Sequence, residues 1–223
     1  MIVARATWGA TCPLPAARME LPARALYLHH TVTQVTPKPY EDMRAVEAVG
    51  VERFGQFPYS YCIHPDGTTM EGCGTRRGAH TEGRNSTTFG VALIGNYDER
   101  NVTAMQLDAV RWLVAALVEV GNLRPGIYPT GGHRDVTATA CPGAKAYRLL
   151  DVMRIPWTIQ NQEAPMADNP DLPNIEGPLE LKVLQNQAGE CTGYAIFSIS
   201  TGELHGFGPG WKYYGRSEDL TPD

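Results

Sequence analysis

No stretch of this chain approaches the roughly 18 consecutive apolar residues that a membrane-crossing helix needs, so membrane insertion is not expected. Positive charge is also scarce. The 19 Lys and Arg stand against 24 Asp and Glu, a net charge of -5. No concentrated basic patch supplies the footprint of a phosphate-backbone binder, which excludes nucleic acid as an expected partner. The opening Met1-Ile2-Val3-Ala4-Arg5-Ala6-Thr7-Trp8-Gly9 lacks the charged-then-apolar pattern of a secretory signal. Cysteines number only 5, and an odd count leaves at least one thiol free, modified or metal-bound; Cys141 is the choice. Cys62 and Cys73 flank the turn Pro65-Asp66-Gly67-Thr68 and could face each other across a hairpin. A reducing compartment would instead keep them as small buried hydrophobes.

What is present suffices for one sizeable core. With 223 residues and 43% apolar content, the chain can bury a main domain of roughly 150 residues and carry a small annex. Short apolar runs alternate with helical patterns, as in a sheet covered by helices. The expected class is therefore α/β. Strands are expected at Ala25 to His29, Tyr59 to His64, Thr68 to Gly72, Phe89 to Gly95 and briefly near Ile127. Helices are expected at Tyr40 to Phe54, Thr103 to Val120 and Ala144 to Met153. The second helix has the clearest signal: Thr103 and Gln106 spell a capping box, Leu107, Val110, Leu113, Val114 and Leu117 form an apolar stripe, and Gly121 supplies a stop. In the first, Gly50 interrupts the pattern.

From about Thr158 to Pro178 the chain turns to Gln, Asn, Asp, Glu and proline, which is linker composition. Beyond it, alternation such as Tyr194-Ala195-Ile196-Phe197-Ser198-Ile199 and a Gly-rich segment with Trp211, Tyr213 and Tyr214 indicate a small β-rich unit. The expected division is a main domain over 1–157, a linker over 158–178 and an annex over 179–223.

The most informative segment runs from Gly132-His133-Arg134-Asp135 to Cys141-Pro142-Gly143. It sets an imidazole and a thiol in one Gly- and Pro-bounded loop, two thirds of a zinc site. The missing third is sought at His29-His30, closing the apolar run Ala25-Leu26-Tyr27-Leu28. Strand alternation sends the two histidines to opposite faces, so only one of them can enter a given site. Three protein ligands would leave one position open for water, the arrangement of a catalytic zinc, and amide hydrolysis is its natural use. Tyr59, opening a strand, is a candidate donor to the oxyanion of the tetrahedral intermediate. Thr139, two residues before Cys141, could touch substrate or stand as an ordinary loop threonine.

Several collinear pieces carry a resemblance: Arg5-Ala6-Thr7-Trp8-Gly9-Ala10, Leu28-His29-His30-Thr31, Tyr59-Ser60-Tyr61 with Asp66-Gly67 and Glu71-Gly72, Gly78-Ala79-His80, Phe89 to Tyr97, and Gly132 to Gly143. Together with the closing Ile155-Pro156-Trp157 they span about residues 4 to 157. The chain resembles the zinc-dependent N-acetylmuramoyl-L-alanine amidases of the type 2 family, which includes phage amidase lysozymes and peptidoglycan recognition proteins. That resemblance implies a central mixed β-sheet flanked by helices, with zinc on His29, His133 and Cys141 and catalytic roles for Tyr59 and Thr139. At the Thr139 position it is similar to the amidase-active recognition proteins, whereas some phage lysozymes carry lysine there. His80 and Asn85 are implied as substrate contacts.

The implied substrate is bacterial peptidoglycan, cut at the amide between N-acetylmuramic acid and L-alanine. The implied role is that of a phage or prophage endolysin, held in the host cytoplasm until it reaches the cell wall. Two other functions remain open at this point. One is a recognition module that holds peptidoglycan without cutting it; the other is a phage particle component attached through its C-terminal unit. The aromatics of that unit would either grip wall sugars or form its own core.

Overall fold

The computed structural model describes residues 2–156 and, beyond them, the backbone of five strands, Leu179–Gln185, Cys191–Ser198, Leu204–Phe207, Trp211–Lys212 and Thr221–Pro222. Two compact units emerge, Met1–Trp157 and Thr158–Asp223. In the first, the elements run β1 (Ile2–Val3), α1 (Arg5–Trp8), β2 (Ala25–His30), α2 (Pro39–Phe54), β3 (Tyr61–Ile63), β4 (Thr69–Glu71), β5 (Thr88–Leu93), α3 (Ala104–Glu119), β6 (Gly131–Gly132), α4 (Ala144–Tyr147) and α5 (Leu150–Met153). Six strands form one sheet in the order β1-β4-β3-β5-β2-β6. Only the β3–β4 hairpin is antiparallel; the other pairs are parallel.

The long strands β2 and β5 pair from Ala25 with Thr88 to His30 with Leu93, and every residue of both is buried. Such continuous burial is what a parallel sheet with both faces covered requires. On one face Leu26, Leu28, Val91 and Leu93 meet Val110, Leu113 and Leu117 of α3 and Leu150 and Met153 of α5. On the other, Ala92 and Ile94 meet Trp8 of α1 and Met43 and Val46 of α2. Each fully buried side chain of this size contributes roughly 1.5–3 kcal/mol, so both helix layers hold the sheet that carries the site.

Helix α3 starts as its sequence demands: the Thr103 hydroxyl accepts from the Gln106 amide at 3.1 Å, and Gln106 Oε1 accepts from the Thr103 amide at 3.3 Å. Gly50 does not break α2. A Cβ there would stand 2.4 Å from Cδ of Pro58, so the glycine admits a close chain crossing rather than ending the helix.

Two expectations are corrected. Ile127 is 74% exposed and belongs to no strand; the short strand falls at Gly131–Gly132, where the glycines lie beneath the following loop. The segment from Ala144 to Met153 is two short helices, because the chain turns at Leu149 (φ -99°, ψ 6°). Of the two readings for Cys62 and Cys73, the structure gives the small buried thiols and not the bridge: across the hairpin Cys62 faces Met70, and the Cys73 thiol donates to the Tyr59 carbonyl at 3.0 Å. Strand β1 and helix α1 went unanticipated, being two and four residues long.

In the second unit, Leu179–Gln185, Cys191–Ser198 and Leu204–Phe207 form an antiparallel three-stranded sheet, and Trp211–Lys212 pairs with Thr221–Pro222. The expected linker over 158–178 and the aromatics Tyr213 and Tyr214 lie outside the described residues.

Candidate metal centre

Strand pairing brings the first two donors together. Strand β6 runs parallel to β2 with Tyr27 opposite Gly131 and Leu28 opposite Gly132, so the next residue on each, His29 and His133, stand side by side at the carboxyl ends of the strands. That edge is where open α/β sheets place their ligands. The two imidazole centroids are 4.6 Å apart. The adjacent His30 faces the other way, as alternation requires, and its Nδ1 accepts from the Tyr97 amide at 3.2 Å.

Cys141 arrives on the loop that follows His133. The Arg134 amide donates to the Cys141 carbonyl at 2.9 Å, and the Arg134 guanidinium reaches the Ala140 carbonyl while lying 4.8 Å from the centre of the Tyr147 ring. The Tyr147 hydroxyl donates to Asp135 Oδ1 at 2.6 Å, and Asp135 Oδ2 accepts from the Gly132 amide at 2.9 Å. Gly132 must lack a side chain, since a Cβ would stand 2.6 Å from Cδ of Pro142. This clasp sets the buried Cys141 Sγ 3.6 Å from Nδ1 of His29 and 3.4 Å from the His30 amide.

The nitrogen and sulfur donors of His29, His133 and Cys141 all lie within 4.8 Å of one another. The donor set fits zinc. A tetrahedral ion with Zn–S of about 2.3 Å and Zn–N of about 2.0–2.1 Å separates sulfur from nitrogen by about 3.6 Å, the spacing found between Cys141 and His29. Electrostatics agree with that choice. Burial, with His80 and His133 adding to it, holds His29 well below the usual imidazole range, and burial lowers His133 too. Both rings are thus neutral, the form a metal binds. Burial pushes the Cys141 thiol up to about 12, so the sulfur stays protonated until a cation takes the proton's place.

Tyr59 borders the cluster, its ring 5.4 Å from that of His29 and its hydroxyl donating to the His30 carbonyl at 3.4 Å. Burial and the nearby Cys141 hold the phenol above its ordinary value, so it remains an O–H donor at neutral pH. Its backbone is pinned by the amide and thiol of Cys73, both donating to the Tyr59 carbonyl. Thr139 is exposed, and its hydroxyl accepts from the Cys141 amide at 3.2 Å. Of the two expected substrate contacts, Asn85 holds a turn: its Oδ1 accepts from the amides of His80 and Thr81 at 3.0 and 2.8 Å. His80 is buried at 5% exposure and packs edge-on to His29 with 5.4 Å between centroids. Burial pushes it down to about 3.

Sequence reasoning missed Thr81, whose hydroxyl lies between His29 and His80. Its position next to His80 was the only signal. It also missed the clasp made by Arg134, Asp135 and Tyr147, which nothing short of three-dimensional contact reveals.

Fold and site define a class: an α/β domain with a candidate three-donor metal site at the carboxyl edge of its sheet. The chain belongs to the type 2 N-acetylmuramoyl-L-alanine amidase and peptidoglycan recognition protein family. The family model described as N-acetylmuramoyl-L-alanine amidase matches residues 19–144. Peptidoglycan-recognition protein 1 of Holotrichia diomphalia is 30% identical over 158 residues, covering 67% of this chain and 78% of the relative. Human N-acetylmuramoyl-L-alanine amidase is 36% identical over 156 residues, covering 66% of this chain but only 27% of that longer protein. Among solved structures, human PGRP-IβC in complex with glycosamyl muramyl pentapeptide superposes with a TM-score of 0.61 at 27% identity, covering 67% of this chain and 94% of that one. The central mixed sheet with flanking helices is the fold of this family.

Proposed function

We infer that this chain is a zinc-dependent peptidoglycan amidase, cutting the amide between N-acetylmuramic acid and the L-alanine of the stem peptide. The observation that carries this function is the convergence, within 4.8 Å, of His29 with His133 and Cys141 from a loop more than 100 residues further along the chain. When bound there, a zinc ion supplies Lewis acidity toward an amide carbonyl and acidifies water at its open position.

The chain's own groups do the rest. His29 and His133 enter as neutral donors fixed by paired strands, and Cys141 adds one negative charge as a ligand, not as a nucleophile. The Tyr59 hydroxyl, held protonated beside His29, can leave the His30 carbonyl and donate to the oxyanion that develops on the attacked carbonyl. Thr139 is exposed at the mouth of the same loop, where its hydroxyl can contact the substrate. The family relation supports peptidoglycan as the ligand, since human PGRP-IβC was solved with a glycosamyl muramyl pentapeptide. An origin as a phage or prophage endolysin rests on the likeness to phage amidase lysozymes, and the C-terminal unit is proposed to attach the enzyme to the wall or to a larger assembly.

Metal analysis paired with muropeptide release tests the function. The parent is expected to hold about one zinc per chain and to release stem peptides until a chelator is added. Cys141→Ser is expected to lose both metal and hydrolysis. Full activity in Cys141→Ser would overturn the assignment, and muropeptide binding without cleavage at any zinc concentration would establish the recognition module instead.

A further inference from the structure

The hydroxyl of Thr81 lies between two buried imidazoles, 3.0 Å from Nδ1 of His80 and 3.5 Å from Nε2 of His29. The direction of hydrogen bonding along this chain of atoms is set from its Cys141 end. Sγ of Cys141 accepts from the His30 amide at 3.4 Å and stands 3.6 Å from Nδ1 of His29, which is thus the acceptor of the thiol proton and faces the other metal donors. A neutral imidazole carries a single ring proton. With Nδ1 of His29 unprotonated, its Nε2 is the N–H, and the Thr81 oxygen accepts from it. The Thr81 hydroxyl proton then goes to Nδ1 of His80.

We propose that Thr81, seated by His80, is a positioning residue that fixes His29 in the Nε2–H tautomer and so presents Nδ1 to the ion shared with His133 and Cys141. The partner of a ligating imidazole's other nitrogen governs both its orientation and its tautomer. Here a hydroxyl backed by a second histidine fills that place, and among the described residues no carboxylate bonds to His29. His80 thereby acquires a structural reason for its burial. Its ring lies on Gly90, where a Cβ would come within 2.3 Å of the His80 Cγ, so glycine on β5 is what makes room for it. The turn itself is held by Asn85 through the backbone amides of His80 and Thr81, independently of the Thr81 hydroxyl. Changing that hydroxyl therefore probes the tautomer without unfastening the turn.

The proposal rests on the metal-site function above, and its test separates the two. Long-range proton–nitrogen NMR on the full metal-free chain reads the His29 tautomer, and chelator competition reads zinc affinity. The parent is expected to show the Nε2–H pattern. Thr81→Val is expected to mix the tautomers and weaken zinc binding by about 10- to 100-fold, while Thr81→Ser restores both. Should the valine variant fail to fold, Thr81→Ala is read in the same way. A pure Nε2–H pattern with parental zinc affinity in the variant lacking the hydroxyl would overturn the proposal and leave the metal site standing. A parent that binds no zinc would sink the metal site, while the metal-free spectra would still decide the role of Thr81.

Discussion

His64 and His29 are buried to nearly the same degree, at 3% and 1% exposure, yet their surroundings have opposite character. Each ring nitrogen of His64 faces a carboxylate: Nε2 stands 3.2 Å from Asp42 and Nδ1 2.9 Å from Asp66. Asp42 in turn accepts from the amide and hydroxyl of Thr36, both at 2.8 Å. That network is complete within the chain and ties α2 to the turn after β3. Around His29 stand a thiol, a hydroxyl and two further imidazoles, all able to give lone pairs and none carrying a formal negative charge while Cys141 keeps its proton. Burial of a histidine therefore does not mark a site. What distinguishes a candidate site is whether the protein supplies the counterpart itself or gathers donors that could hold a cation.

The largest expected effect comes from cutting the self-sufficient network. Asp42→Ala leaves the Thr36 amide and His64 without their shared acceptor and is expected to cost about 3–5 kcal/mol in denaturant unfolding. The zinc content of the folded fraction should not change. Loss of zinc in that variant would show the two histidine environments to be coupled and would break the contrast.

Next in size is Tyr59→Phe. Removing one oxyanion donor typically costs about 10²–10³-fold in turnover. Muropeptide release is expected to fall by that factor with zinc content unchanged, and a fall in bound zinc would instead make Tyr59 part of the metal's support.

The smallest effect is electrostatic and concerns Asp66. Its partial burial works against ionisation, but hydrogen bonds from Thr68 and then His64 outweigh this and hold the carboxyl below its ordinary value of 3.8. A depressed folded value contributes stability that is fully present above the ordinary value and is lost as pH falls through the folded one. With the side chain 43% exposed, Asp66→Asn is expected to cost under about 1 kcal/mol at neutral pH. Unfolding curves of parent and variant should converge as pH drops below 3.8. A gap that widens in acid would mean that the Asp66 charge opposes folding.

The elements legible in the sequence were those with strong local signals. The capping box at Thr103 and Gln106 and the apolar stripe behind it placed α3 to within a residue at each end, and the apolar runs placed β2 and β5 almost as closely. Alternation separated His29 from His30 by face, as the Tyr97 contact of His30 bears out, but the choice of His29 came from family likeness. Strand β6 was misplaced because two glycines carry no β signal, and their function is to admit Pro142 and Asp135 where side chains would collide. The break between α4 and α5 was invisible for a related reason: Tyr147 is drawn to Asp135, whereas Leu150 and Met153 turn into the core, and no local residue announces the change. Thr81 escaped notice because a threonine acquires a role there only when two histidines from different elements close on it.

Two of the three donors are set by the register of β2 against β6, whereas the sulfur hangs on a short segment clasped from Arg134 to Cys141. The chemistry is in that sense modular. Replacing the clasped segment as a cassette would exchange or abolish the third donor and leave the paired strands beneath it in place. Under the proposed amidase function, such a scaffold would pass between cutting a polymer and merely gripping it without being rebuilt.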